Sequence, residues 1–171
     1  MPKVRKTVLG IDPGTREMGV AVLEGDDLTF FGVKNLKAGG KRSPGDVLSR
    51  ARKYVAKLLE RYEPDVLAIE GTFVIRNRNS ALLNVLADEI KALCRKRGLK
   101  VAEFAPAKVK KAVCGRGNAT KRDVSRRLAG IYPELRRYLR PGEGLNHCKE
   151  KYWQNMFDAL ALCLAYLHET A

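Results

Sequence analysis

Apolar residues concentrate in three short runs near the start of the chain, roughly 7–12, 18–23 and 28–34, which predicts three strands. Gly14 to Gly19 forms the first turn and Glu24-Gly-Asp-Asp27 the second. The acidic, Gly-containing second turn has hairpin chemistry, so the three strands read as an antiparallel meander. A flexible link, Lys37-Ala-Gly-Gly-Lys-Arg42, follows. Ser43-Pro44 with Asp46 then supplies a cap, a proline at the first helical position and an acid in the first turn. Val47, Leu48, Ala51, Val55, Leu58 and Leu59 recur at helical spacing. A fourth strand, Val66-Leu-Ala-Ile-Glu70, leads to a helix from about Asn79 to Arg97. That helix carries Leu82, Leu86, Ile90 and Leu93 on one face and stops at Gly98. A fifth strand is predicted near Lys100–Phe104, and a polar, Gly-containing stretch spans 115–119. Thr120 with Asp123 resembles a capping box for a short helix ending at Gly130. A loop rich in Pro and Gly covers 141–150, and a last helix runs from about 151 to 168.

This order predicts an α/β fold: a mixed five-stranded sheet, antiparallel in its first three strands, with parallel crossovers later and helices on its faces. Residues 1–171 form one domain, long enough for its own core. Strand one is expected to be central with strand four beside it. Their C-terminal ends, where open sheets place their sites, then carry Asp12 and Glu70 together.

Charge narrows the function classes. Lys and Arg number 33 against 19 Asp and Glu, a formal net charge of +14, which attracts polyanions and supports nucleic-acid binding. Arg122, Arg126 and Arg127, and Arg136, Arg137 and Arg140, extend the positive surface. The four cysteines (94, 114, 148, 163) are scattered without a CxxC pair, which argues against a zinc site and for a reducing, cytoplasmic setting. No signal peptide is evident, and no apolar run approaches the ~20 residues of a membrane span.

Against this basic background three carboxylates stand out. Asp12 and Glu70 each end an apolar strand, and Asp158 heads the apolar run Ala159–Leu167. A carboxylate at a buried edge is costly to desolvate without a partner. Three of them suggest one acidic cluster binding Mg²⁺, with Mn²⁺ as an alternative, and acting on a phosphodiester. Two ions held about 4 Å apart activate the attacking water and stabilise the leaving oxygen. Asn155 precedes Asp158 by three residues and faces the same way on the helix; its amide oxygen can ligate a hard ion but carries no charge. Trp153 and Met156 read as core.

Gly10-Ile-Asp-Pro-Gly-Thr15, Ile69-Glu-Gly-Thr-Phe73, Phe157-Asp-Ala-Leu-Ala161 and the stretch Ala107–Lys121 together resemble the RuvC family of Holliday junction resolvases. The resemblance covers most of the chain, in order and at nearly the family's spacing. It implies an RNase H-like fold, a homodimer built through helix 79–97, and metal-dependent paired nicking of a four-way DNA junction with two ions per site. It implies metal ligation by Asp12, Glu70 and Asp158, with Asn155 at a fourth position that is usually Asp and in some members His. Lys110 and Lys121 match lysines that approach the substrate phosphate. Phe73 matches a residue that stacks on a base at the crossover. Arg76 and Arg78 beside it, with Lys108 and Arg116 further on, are expected DNA contacts. Branch-migration motor proteins are implied as partners. The departure at Asn155 leaves one alternative, a junction-binding protein with weakened cleavage; a separate one is another RNase H-like nuclease, acting on RNA–DNA hybrids or branched DNA.

Overall fold

A computed structural model of the chain describes residues 5–37, 39–40, 43–71, 78–139 and 147–171, and the side chains of 78–80 and 147–151 lie outside this description. Strand β1, Thr7–Asp12, is the centre of the sheet. It pairs antiparallel with β2, Glu17–Glu24, and parallel with β4, Val66–Glu70. β3, Asp27–Asn35, closes one edge against β2, and β5, Lys100–Phe104, closes the other parallel to β4. The spatial order β3-β2-β1-β4-β5 has strand one at the centre with strand four beside it, as expected from the sequence, and adds β5 at the edge beyond β4.

Period-two alternation divides the sheet's side chains between two cores. Leu9 and Ile11 of β1, Val20 and Val22 of β2 and Leu67 and Ile69 of β4 pack with Val47, Ala51, Val55, Leu86 and Ile90. These last belong to α1, Pro44–Tyr62, and α2, Arg78–Lys96. α1 begins as its sequence dictates. Ser43 accepts from the Asp46 amide at 3.2 Å, and Asp46 accepts from the Ser43 amide at 3.1 Å. The opposite parity, Val8, Ala21, Val66 and Ala68, packs against three helices: α3, Pro106–Cys114; α4, Lys121–Ile131; and α5, His147–Thr170.

Several boundaries differ from expectation. α3 was not among the predicted elements; it is nine residues long and buries only Val109 and Val113. α4 runs through Gly130 to Ile131, and a 3-10 turn, Pro133–Tyr138, follows it. α5 starts at His147, so residues 147–150 of the expected loop are helical. Met156 is buried as expected, whereas Trp153 is only partly covered, against Tyr138 and Tyr152. Cys94 and Cys163 are buried free thiols. Among the described residues no helix is long and apolar enough to cross a membrane.

The docking of α5 depends on two glycines. A Cβ on Gly10 would lie 2.2 Å from the Ala159 carbonyl oxygen and 2.5 Å from Cys163 Sγ. A Cβ on Gly19 would lie 1.8 Å from the Asn155 carbonyl oxygen. The helix backbone therefore rests directly on β1 and β2, closer than any side chain permits.

Candidate active site

The parity that buries Val8 and Val66 under α5 carries Asp12 and Glu70 to the same face, because each lies an even number of residues further along its strand. The last parallel pair is Ile11 with Ile69, so the two carboxylates leave adjacent strands side by side. α5 crosses above them and contributes Asp158. The three acids sense one another. Burial pushes the Asp12 carboxyl up to about 8, and the charges of Asp158 and Glu70 add to the rise while Lys121 opposes it. Glu70 is also raised, first by burial and then by Asp158, with Lys121 and Lys110 pulling it down.

Lys121, the first residue of α4, spans the gap between the helices. Its Nζ donates to Asp158 Oδ2 at 3.0 Å. Burial works against the Lys121 ammonium, yet Asp158, with Asp12 and Glu70 behind it, raises its pKa above the ordinary lysine value. The other carboxylate oxygen, Oδ1, accepts from Gln154 Nε2 at 2.9 Å, and Gln154 Oε1 meets Ser125 Oγ at 3.3 Å. Gln154 and Ser125 are absent from the sequence-based site. They belong to two helices whose contact no local spacing announces.

The converging cluster takes an open form. Among the described residues no three His, Cys, Asp or Glu side chains stand close enough to hold one metal ion. Like-charge repulsion on Asp158 is offset instead by Lys121 and Gln154. The donor set nonetheless suits a hard divalent cation: three carboxylate side chains, one raised to about 8 by burial and its neighbours' charges, which a cation would favour in the ionised form. Asn155 is half-buried one turn before Asp158.

The expected DNA contacts are distributed unevenly. Lys110 lies close enough to Glu70 to oppose the rise in its pKa. Lys108 pairs with Glu169 and covers the Phe104 ring. Glu169 is eleven residues past Asp158 on α5, about 16 Å along the helix, so Lys108 belongs to the far end of this face. Arg116 pairs with Asp123, the acid of the α4 capping box, at 3.0 Å. Phe73 and Arg76 lie outside the described residues, as does the Arg78 side chain, although Arg78 opens α2.

A family model described as "Crossover junction endodeoxyribonuclease RuvC" matches residues 8–137. The chain belongs to the RuvC family. A RuvC of that name from Chelativorans sp. (strain BNC1) is 35% identical over 130 residues, 74% of this chain and 76% of the relative. Another, from Sinorhizobium medicae, is 29% identical over 164 residues, 94% of this chain and 90% of the relative. The "Thermus thermophilus RuvC structure" superposes with a TM-score of 0.72 at 24% identity, covering 96% of this chain and 95% of that one. The T. thermophilus RuvC "in complex with Holliday junction substrate" gives 0.75 at 22% identity, covering 96% and 94%. These structural likenesses show the fold, which is the RNase H-like arrangement expected for RuvC. The family model ends before Asp158, while the alignment with the S. medicae relative is long enough to span it, and the packing of α5 over the strand ends sets where that carboxylate stands.

Proposed function

We propose that the protein is a metal-dependent crossover junction endodeoxyribonuclease that resolves Holliday junctions by paired, symmetric nicks. The observation that carries this reading is the meeting of Asp12 and Glu70, on adjacent parallel strand ends, with Asp158 on the helix above them, inside a chain of net charge +14. Asp12, Glu70, Asp158 and the Asn155 amide oxygen would hold Mg²⁺ or Mn²⁺, two ions per site. When bound, the metal would supply an activated water and charge stabilisation at the leaving 3′ oxygen, chemistry that leaves 5′-phosphate ends. The chain's own part is positioning and charge. The carboxylates fix where the scissile phosphate comes to rest, and Lys121 and Lys110 bring positive charge to its non-bridging oxygens as negative charge builds there.

The basic surface holds the arms of the junction, and Phe73 enters the crossover to stack on a base. Leu82 and Leu83 are half-exposed on α2 and Val85 is 46% exposed. This apolar stretch suits pairing of two copies, and a two-fold dimer sets two sites across a two-fold junction. The buried thiols suit the cytoplasm, with branch-migration motors as partners of the resolving complex.

The deciding experiment is incubation of a synthetic four-way junction with Mg²⁺ or Mn²⁺. Nicks at symmetry-related positions in two opposed strands are expected, with linear duplex left intact. Tight junction binding without cleavage in either metal would sink the nuclease reading. Asn155→Asp adds one negative charge to the ligand set and is expected to lower the Mg²⁺ concentration for half-maximal cleavage by roughly threefold to tenfold. A metal titration of both proteins checks this; an unchanged midpoint removes Asn155 from the ligand set.

A further inference from the structure

The Asp158 carboxylate is gripped from two directions. Lys121 takes Oδ2 and Gln154, one helical turn before it, takes Oδ1. An ionised carboxylate only accepts hydrogen bonds, so the Gln154 NH₂ must face it and the amide oxygen must point the other way. There it meets Ser125 Oγ at 3.3 Å. Ser125 is 7% exposed and sits one turn after Lys121 on α4, with its hydroxyl also 3.0 Å from the Lys121 carbonyl oxygen. The single hydroxyl hydrogen is thus shared between the α4 backbone and the Gln154 amide. One helix, α4, therefore controls both ends of the grip: Lys121 directly and Gln154 through Ser125. Each oxygen of Asp158 keeps a lone pair for an ion while the plane of the carboxylate is set by the other.

We propose that Gln154, braced by Ser125, is a positioning residue that orients the Asp158 carboxylate for metal binding. This rests on the metal-dependent reading of the site. Groups that orient a metal-ligating side chain commonly matter by about 10–100-fold in metal affinity or activity. The assignment is sharpened by Asn155, since a site with an uncharged fourth donor depends more heavily on the set of its remaining acids.

Gln154→Met keeps the length of the side chain and removes both hydrogen bonds. Mn²⁺ binding to the junction-free protein, read by electron paramagnetic resonance of the free ion, is expected to weaken about tenfold. At a fixed subsaturating Mn²⁺ concentration kcat falls by a similar factor, whereas KM for the junction and the melting temperature stay at their wild-type values. Ser125→Ala weakens Mn²⁺ binding a few-fold, and the double variant is no worse than Gln154→Met alone, because Ser125 acts only through the amide. Should Gln154→Met fail to fold, Gln154→Asn, too short to span both partners, takes its place with the same expectation. Binding of Mn²⁺ within twofold of wild type by the Gln154 variant, or no Mn²⁺ binding by the wild type, overturns the assignment. Wild-type protein that binds Mn²⁺ yet leaves four-way junctions uncut would instead overturn the resolvase reading and leave the positioning role standing.

Discussion

Asp12→Asn is expected to abolish junction cleavage and, in the absence of metal, to stabilise the protein as pH rises. The substitution keeps size and shape and removes one charge. Cleavage falls on the order of 10³-fold or more, as for other groups whose contribution is made in the transition state, while junction binding is retained. The stability effect follows from the raised Asp12 pKa. Its folded-state value is about 8 against an ordinary 3.8. Between those values the folded state keeps a proton that the unfolded chain has lost, so stability falls as pH rises through the window. The penalty is absent below about pH 4 and complete above about pH 8. An upward move of this size bounds it at about 6 kcal/mol, and partial exposure of the carboxyl reduces that figure. In EDTA, then, the Asn variant and the wild type denature at similar urea concentrations near pH 4 and diverge steadily toward pH 8. Parallel pH profiles for the two proteins would show that Asp12 is solvated and ordinarily ionised in the fold. A site residue that destabilises its own protein is a common cost of activity.

The second large effect comes from a single carbon on β2, directly across the β1–β2 pairing from Asp12. Gly19→Ala places a Cβ 1.8 Å from the Asn155 carbonyl oxygen, a backbone atom that no rotamer change can move aside. Either β2 bends or α5 lifts from the sheet. Destabilisation of roughly 4 kcal/mol is expected, at the upper end of single substitutions, and expression should fall with it. The residual folded protein should also cleave poorly, since lifting α5 carries Asn155 and Asp158 away from the strand ends. Gly10→Ala, with its clash at the Ala159 carbonyl, is expected to act in the same way. Urea denaturation and junction cleavage of both variants give the measurement. A Gly19→Ala protein within about 1 kcal/mol of wild type would mean that the helix rides more loosely than the contact implies.

Much of this site is written in local pattern. Asp12 and Glu70 are visible because each interrupts an apolar strand at its end, and the alternation within each strand already sets the two side chains on one face. The Ser43–Asp46 and Thr120–Asp123 capping boxes are visible because both partners lie within four residues. Other parts leave no such trace. α3 is short and rich in lysine, and its two buried valines, four residues apart, are too few to establish a helical period. The start of α5 at His147 follows a loop whose Pro and Gly content masks it. Gln154 and Ser125 look like ordinary helix-surface polar residues, because their contact exists only once α4 and α5 pack together. Lys110 differs from Lys108 and Lys111 only through the turn of α3, which sets it near Glu70 and leaves Lys108 beside Glu169. Gly10 and Gly19 read as turn or strand glycines until the helix above them is seen.

The position of α5 also bears on when the nuclease becomes active during synthesis. Asp12 and Glu70 are translated early, but the centre lacks its third carboxylate until residue 158 has left the ribosome and α5 has settled onto β1 and β2. Domains generally fold as units while the chain is being made, and on the proposed assignment the last helix to arrive would complete the metal site. On that assignment a chain stopped before α5 would carry the basic residues of its earlier helices without an acid that the proposed cleavage requires.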